Sequence, residues 1–394
     1  GATRRFVAAV AETEALGEIE VKGRSEPVAA HRVVGLRATP GRSRGIAGLE
    51  SDMVGRDVEL ARLEESLAAV QAGRGRVAVI LGEAGLGKSR LIAELRRFAG
   101  SHGDGAWAEG RSRSYGMNLP YHVLLDVVRA IVGAPVGAGE AETRAALEAR
   151  IGELFGRDGD ETREVLAHLL SLPVQGALAD DLERIEPEAL QARYLGALRR
   201  LLEAIAARGP LVLVCEDLHW ADASSAEALG RLLPIVNEQP ILLLVASRAD
   251  REAPGWRLVT MSRDLFGDAL VEIPLRPLSE DDSRRLIANL LDIEQLPDAI
   301  RDVILAKAEG NPFFAEEVVR MLIEQGAIVR ADGRWVATAQ IDDVEIPDTI
   351  HGLLLARIDR LPEEAKRALR VASVIGRQFS VRVLEEVLTT TADR

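Results

Sequence analysis

Eight consecutive residues, Gly82-Glu83-Ala84-Gly85-Leu86-Gly87-Lys88-Ser89, satisfy the phosphate-binding pattern G-x-x-x-x-G-K-S/T at every position. Glycines at this spacing let the backbone turn tightly, so that several amide N–H groups face one anion. A helix opening near Lys88 adds the positive end of its dipole at the same point. Lys88 would reach the outer phosphates, and the Ser89 hydroxyl would ligate Mg²⁺. Arg90, next along, joins these eight as a nucleotide-side candidate. The pattern carries this meaning only between a strand and a helix. The sequence supplies both: the apolar run Val77-Ala78-Val79-Ile80-Leu81 precedes it, and Leu91, Ile92, Leu95 and Phe98 follow at helical spacing.

A triphosphate site also needs carboxylate help for Mg²⁺ and a positioned water. Glu216-Asp217 ends the apolar run Leu211-Val212-Leu213-Val214-Cys215 and has the composition for both. Glu216 is the candidate metal ligand beside Ser89, directly or through water, and Asp217 the candidate for orienting or deprotonating the water; the two roles can be exchanged. Trp220, in the same loop, is expected to pack beneath the site, while His219 stands open between a rim position and a switch. Arg248 follows the apolar run 241–246, whose carboxyl end would face the ligand crevice of a parallel sheet. A guanidinium there can read a γ-phosphate. A surface salt bridge is its competing reading. Cys215, the single cysteine, is expected to be a small core residue.

The elements that must position these groups are legible as apolar runs. Leu211 to Cys215, Ile241 to Ala246 and Leu270 to Ile273 are unbroken strands separated by helical stretches, and Ala106 to Glu109 is a further candidate. Such strands belong to a parallel sheet covered by helices on both faces. Leu60, Leu63, Leu67 and Val70 mark a helix before the first strand, and residues 120–208 are mostly helical, with Pro187 opening one helix. Ser224-Ser225-Ala226-Glu227 and Ser279-Glu280-Asp281-Asp282 have the form of helix-opening capping boxes. Residues 279–325 are helical. A hairpin is expected between Ile328-Val329 and Trp335-Val336, turning at Ala331-Asp332-Gly333-Arg334, and helical spacing resumes after Pro347. Ahead of all this, Ile19 to Lys22 and Val28 to Val34 read as short strands around a break at residues 23–27, and residues 38–52 read as a linker.

Composition sets the outer bounds. The 394 residues are 47% apolar and 28% charged, enough for two or three domains with sizeable cores. Acidic residues outnumber basic ones 62 to 49, a net charge of −13, which argues against broad binding to nucleic acid or anionic lipid. No apolar run is long enough to span a membrane, and one cysteine forms no internal disulfide, so a reducing cytoplasm is expected. Aromatics, at 4%, do not indicate stacking platforms for single strands. The chain opens on Gly1 and is expected to be part of a longer one.

Taken together, these segments resemble the STAND branch of the AAA+-related P-loop ATPases. Met53-Val54-Gly55-Arg56-Asp57-Val58-Glu59-Leu60 is similar to its entry box, Val212 to Asp222 (VLVCEDLHWAD) to its magnesium strand, and Ala246-Ser247-Arg248 to its first sensor. Gly310-Asn311-Pro312-Phe313-Phe314-Ala315-Glu316-Glu317 is similar to the G-x-P segment of its helical lid. The four occur in the family's order over about residues 53–394. The resemblance implies that Val54, Gly55, Arg56 and Pro312 lie on the adenine side, although Gly310-Asn311-Pro312 would also serve as a helix stop and restart. Glu216 departs from the family's usual Asp and is one methylene longer, so ligation of the metal through water stays open beside direct ligation. The start, Leu16 to Val28, is similar to the closing strands of class III adenylate/guanylate cyclases; the metal-binding aspartates of such a domain would lie upstream.

The sequence therefore leads to this expectation: an α/β P-loop NTPase domain at 53–275 with a helical insertion at about 112–208. Around it come a lid and hairpin at 276–345, a partial winged helix at 346–394 and cyclase strands at 1–37. The function expected is an ATP/ADP- and Mg²⁺-dependent switch with slow hydrolysis, self-associating on ATP binding, within a parent that has a cyclase upstream and a repeat sensor downstream. The rival readings are a DNA-binding transcription regulator or origin-type initiator and a non-hydrolysing scaffold holding ADP. For DNA, the basic Arg357, Arg360, Lys366, Arg367 and Arg370 are diluted by Glu363, Glu364, Glu385 and Glu386.

Overall fold

The structure is a computed structural model. It describes residues 11–19, 28–36, 52–102, 105–117, 119–135, 137–174, 177–291, 298–331, 334–338, 344, 346–347, 349–359, 361–375, 383–384 and 386–388. Strands β1 (Ala11–Ile19) and β2 (Val28–Leu36) pair antiparallel, with Ile19 opposite Val28. The described first strand ends at Ile19, where the expected one begins. Residues 20–27 and nearly all of the expected linker fall outside the described residues.

The main body runs α1 (Asp57–Gln71), β3 (Arg76–Leu81), α2 (Lys88–His102) and β4 (Ala106–Arg111). Five helices follow: α3 (His122–Val132), α4 (Glu140–Phe155), α5 (Asp160–Leu169), α6 (Ala177–Arg184) and α7 (Pro187–Ala206). Then come β5 (Leu211–Glu216), α8 (Ala223–Leu232), α9 (Ile235–Glu238), β6 (Ile241–Ser247), α10 (Trp256–Phe266) and β7 (Leu270–Pro274). The five strands form one parallel sheet in the order β4-β5-β6-β3-β7. Alternate residues face opposite ways and both sets are buried. Val77, Leu213, Cys215, Leu243 and Val245 join one core with α7, α8 and α10, and Ala78, Ile80, Val214, Leu242 and Leu244 join another with α1 and α2. Two-sided burial is why these strands are unbroken apolar runs rather than alternating ones. This is the α/β, P-loop NTPase-like fold. Its chain leaves β3 for the β4 edge and later returns past β3 to β7, so the strand order reverses beside β3. A ligand crevice is expected at the carboxyl ends there.

Beyond the sheet, α11 (Glu280–Leu291), α12 (Asp298–Ala308) and α13 (Pro312–Glu324) precede the hairpin β8 (Ile328–Ala331) and β9 (Arg334–Ala337), then α14 (Ile350–Asp359) and α15 (Glu363–Ile375). They form a separate core around Leu286, Ile304, Phe314, Val318 and Leu322. The hairpin's expected turn residues Asp332 and Gly333 lie outside the described residues, as do 376–382 and 389–394 of the expected winged helix. Ser279 opens α11, its hydroxyl accepting from Asp282 N and donating to the Asp282 carboxylate, and Pro187 occupies the first turn of α7. The helix α8 is a correction: its cap is Asp222, whose side chain accepts from Ser225 N, and not Ser224. Among the described residues no helix is long and apolar enough to cross a membrane.

Candidate functional site

The phosphate loop leaves the carboxyl end of β3 and enters α2 directly at Lys88. Gly85 (φ +87°) and Gly87 (φ +95°) adopt left-handed backbone that only glycine takes without strain. Lys88 is buried, and its ammonium donates to the carbonyls of Gly82 at 2.6 Å and Glu83 at 3.0 Å. Burial pulls its pKa below the ordinary lysine value; the charge of Asp217 opposes this and that of Arg248 adds to it. At the opening of α2, Lys88 therefore senses charges that follow the ends of β5 and β6.

The Ser89 hydroxyl donates to Glu216 Oε2 at 2.5 Å, across 127 residues of chain. Burial pushes the Glu216 carboxyl above the usual range. The Ser89 bond and Arg111 hold it back, while Asp217 adds to the rise. Asp217 follows in the left-handed region (φ 54°, ψ 38°), which turns its side chain away from the strand line. There it meets Arg111, whose Nε donates at 2.9 Å and whose second terminal nitrogen stands at 2.8 Å from the same oxygen, Oδ2. Arg111 ends β4, in register opposite Glu216, so the neighbouring strand delivers a cation to the acidic pair. Burial alone would lower that guanidinium's pKa, but Glu216 and Asp217 overcome it and raise it.

His219 is buried, and its Nδ1 accepts the Arg248 backbone N–H at 3.5 Å. Burial lowers its pKa, against the pull of Asp217 and with the push of Arg248 and Lys88. Trp220 is half-buried beside it, ring centroids 5.1 Å apart. Among the described residues the Arg248 guanidinium has no carboxylate within 4.0 Å, so the salt-bridge reading for it finds no partner there. Cys215 is fully buried in β5, its thiol pushed up to about 12.

The remaining candidates lie where the C-terminal helices meet the loop. Arg56 is buried and donates to Arg276 O at 2.6 Å and Leu86 O at 3.4 Å. Gly55 (φ +67°) lies so close to α11 that a Cβ would stand 2.6 Å from the Asp282 carboxylate, and Val54 packs on the C-terminal core. Pro312 is the first residue of α13, capped by Asn311, whose Oδ1 accepts from Phe313 N and Phe314 N. Asn311 Nδ2 donates to Ala84 O at 3.0 Å, and Phe313 N reaches Gly85 O at 3.4 Å. Arg90 pairs with Glu94 at 2.7 Å along α2.

The structure thus gathers Lys88, Ser89, Glu216, Asp217 and Arg248 at adjacent strand ends, and sets Val54, Gly55, Arg56 and Pro312 at the seam with the C-terminal helices. Sequence reasoning missed Arg111, Asn311 and Asp222. A basic residue at the end of the strand beside the acidic one was the available signal for Arg111. For Asp222 it was a good capping residue directly before a helix. Among the described residues no group of three or more His, Cys, Asp or Glu could by itself hold a metal.

Residues 52–245 match the family model described as AAA ATPase domain, and residues 279–335 match a domain of unknown function, DUF8739. Most of the sheet-bearing part of the chain is thus similar to AAA ATPase domains. It is 28% identical over 386 residues to an uncharacterized protein of Rhizobium meliloti (strain 1021), covering 94% of this chain and 34% of that protein. It thus spans about a third of the length of the curated relative it matches. Among solved structures it is similar to the Aeropyrum pernix ORC1 protein in complex with DNA, at 18% identity over 87% of this chain and 78% of that one, TM-score 0.42. A Pyrococcus horikoshii STAND protein with a tetratricopeptide repeat sensor is similar at 12% identity over 84% of this chain and 36% of that one, TM-score 0.41.

Proposed function

We propose that the chain is an ATP-binding signal-transduction switch with slow Mg²⁺-dependent hydrolysis, the regulatory module of a larger cyclase-type signalling protein. The carrying observation is the Ser89 hydroxyl against the Glu216 carboxylate, 2.5 Å apart, beside the Lys88 ammonium. Two hard oxygen donors at the foot of a phosphate loop fit Mg²⁺, which takes few protein ligands and keeps water and phosphate oxygens. When bound, the ion supplies positive charge to the outer phosphates. Loop amides and Lys88 bind those phosphates, Asp217 orients the attacking water, and Arg248 reads the γ-phosphate from the end of β6. Val54, Gly55, Arg56 and Pro312 frame the adenine.

In this reading residues 53–275 are the nucleotide domain, 276–345 its lid and 346–394 the start of a winged helix. The bond from Asn311 to Ala84 supports the switch, because a nucleotide that reshapes the loop also acts on the lid. ATP and ADP then favour different lid positions by their different contacts, and closure exposes surface for self-association. A parent with a cyclase upstream and a repeat sensor downstream belongs to the same proposal, in keeping with a relative of which this chain covers 34%. The net charge of −13 opposes broad, non-specific binding to nucleic acid, which is why the switch reading is preferred to a DNA-binding one. The test is titration of the full chain with a fluorescent ATP analogue. Lys88→Ala is expected to weaken binding by about 100-fold or more; undiminished affinity would refute the assignment.

A further inference from the structure

The helices between β4 and β5 line an open cavity of about 770 Å³, to which the ATP chemistry assigns no task. Its size falls within the range of about 300–1,000 Å³ typical of small-molecule sites. Its polar lining consists of Tyr121, Glu140, His168, Ser171, Gln191 and Tyr194, with no Lys or Arg among the described lining residues. The two tyrosine rings stand edge to face, centroids 5.5 Å apart and planes at 79°. Their hydroxyls are tied down: Tyr194 to His168 Nδ1 at 2.6 Å, and Tyr121 to the Gln191 side chain. Tied-down aromatic rings with a carboxylate, and with the one lining imidazole bonded to a tyrosine hydroxyl, make an environment that attracts cations.

The backbone points the same way. Tyr121 (φ 62°) and Ser171 (φ 58°) both line this cavity, and they are two of the four described non-glycine residues with positive φ. Such strain gathers at ligand clamps and switches. A third, Asp217, is in the acidic loop of the nucleotide site. The two places are connected. Asp222, which closes that loop, is buried and accepts from Tyr121 N at 2.9 Å and His122 N at 3.1 Å, while it also caps α8 through Ser225 N at 2.8 Å. A wall residue of the cavity and the acidic loop are thus pinned to one carboxylate.

We propose that this cavity is an effector site for a small organic cation, a primary or quaternary ammonium, and that its occupancy is passed to the nucleotide site through Tyr121 and Asp222. The second half of this rests on the ATP reading above. The test is calorimetric titration of the full chain with choline, against its neutral isostere 3,3-dimethyl-1-butanol. Choline is expected to bind saturably and at least about tenfold more tightly than the alcohol. Glu140→Gln, a change at an exposed position, is expected to weaken choline about five- to tenfold, and Tyr121→Leu by at least as much. Equal binding of the two compounds, or unchanged choline affinity in Glu140→Gln, overturns the cation site. With choline saturating, affinity for the fluorescent ATP analogue is expected to shift about threefold or more; no shift overturns the coupling. Lys88→Ala should bind choline as the parent chain does, so the failure of the nucleotide reading and the failure of this one give different results.

Discussion

The carboxyl ends of β3 and β5 lie on the same edge of one sheet and are built in opposite ways. At β3, adjacent residues shape the cradle itself: two glycines bend the loop, and Lys88 folds back onto carbonyls five and six residues away. At β5, almost every partner comes from far along the chain, Ser89 to Glu216 and Arg111 to Asp217. The local end is cationic, the assembled end acidic and partly strained. A phosphate cradle needs only backbone amides and one ammonium, so a short motif suffices. The β5 end, on the proposed reading a metal- and water-handling site, must hold like charges together against their repulsion, and this requires neighbours from other elements.

The sharpest way to test this division is at the assembled end. Glu216→Gln and Asp217→Asn should each slow ATP hydrolysis by about 100-fold, with nucleotide affinity kept within about fivefold. Phosphate release and analogue titration measure the two quantities; unchanged turnover in both variants would mean the acidic pair does not serve hydrolysis. Next comes the Arg111–Asp217 contact. Arg111→Ala leaves two carboxylates uncompensated and should cost about 1–2 kcal/mol in urea unfolding. Adding Asp217→Asn should recover about half, and strict additivity would break the claim that the two residues act as a pair.

The seam with the C-terminal helices separates local from assembled roles within one side chain. Asn311→Asp keeps the α13 cap but loses the donor to Ala84, whereas Asn311→Ala loses both. The Ala variant should be less stable than the Asp variant by about 1 kcal/mol. Both should show the same faster hydrogen exchange in the phosphate loop, and unaltered exchange there would remove Asn311 as the link.

The smallest effect concerns pH. Burial raises the folded pKa of Glu216 above its ordinary 4.5, so the protonated form favours folding. That contribution is fully present below about pH 4.5 and lost as pH rises through the folded value. Glu216→Gln should therefore melt roughly 2 °C higher than the parent near pH 8, with the gap closing toward pH 4.5. A gap that stayed constant with pH would place the cause elsewhere.

Much of the scaffold was legible. The strands β3, β5 and β6 contain unbroken apolar runs, because burial on both faces favours an apolar side chain at every position of the run. The opening of α11 at Ser279 and of α7 at Pro187 followed from local capping chemistry. The opening of α8 was placed at Ser224, although Asp222, a good capping residue just before it, caps the helix through Ser225 N. The same carboxylate also holds Tyr121 and His122, about 100 residues earlier. No window around residue 222 contains that second role. The extent of the first hairpin strand was less legible: Ala11–Ile19 alternates weakly, and its pairing with Val28–Leu36 supplies what its own pattern lacks.

By itself the sequence determined the phosphate loop, the strands that flank it and the acidic residues at the end of β5, since each depends on contacts within a few residues or on uniform burial. Only the tertiary structure decided which cation stands beside Asp217, which hydroxyl meets Glu216 and which amide ties the C-terminal helices to the loop. Those pairings span 106, 127 and 227 residues. Hydrogen bonds and ion pairs act over a few ångströms of space, and separation along the chain does not enter their energy.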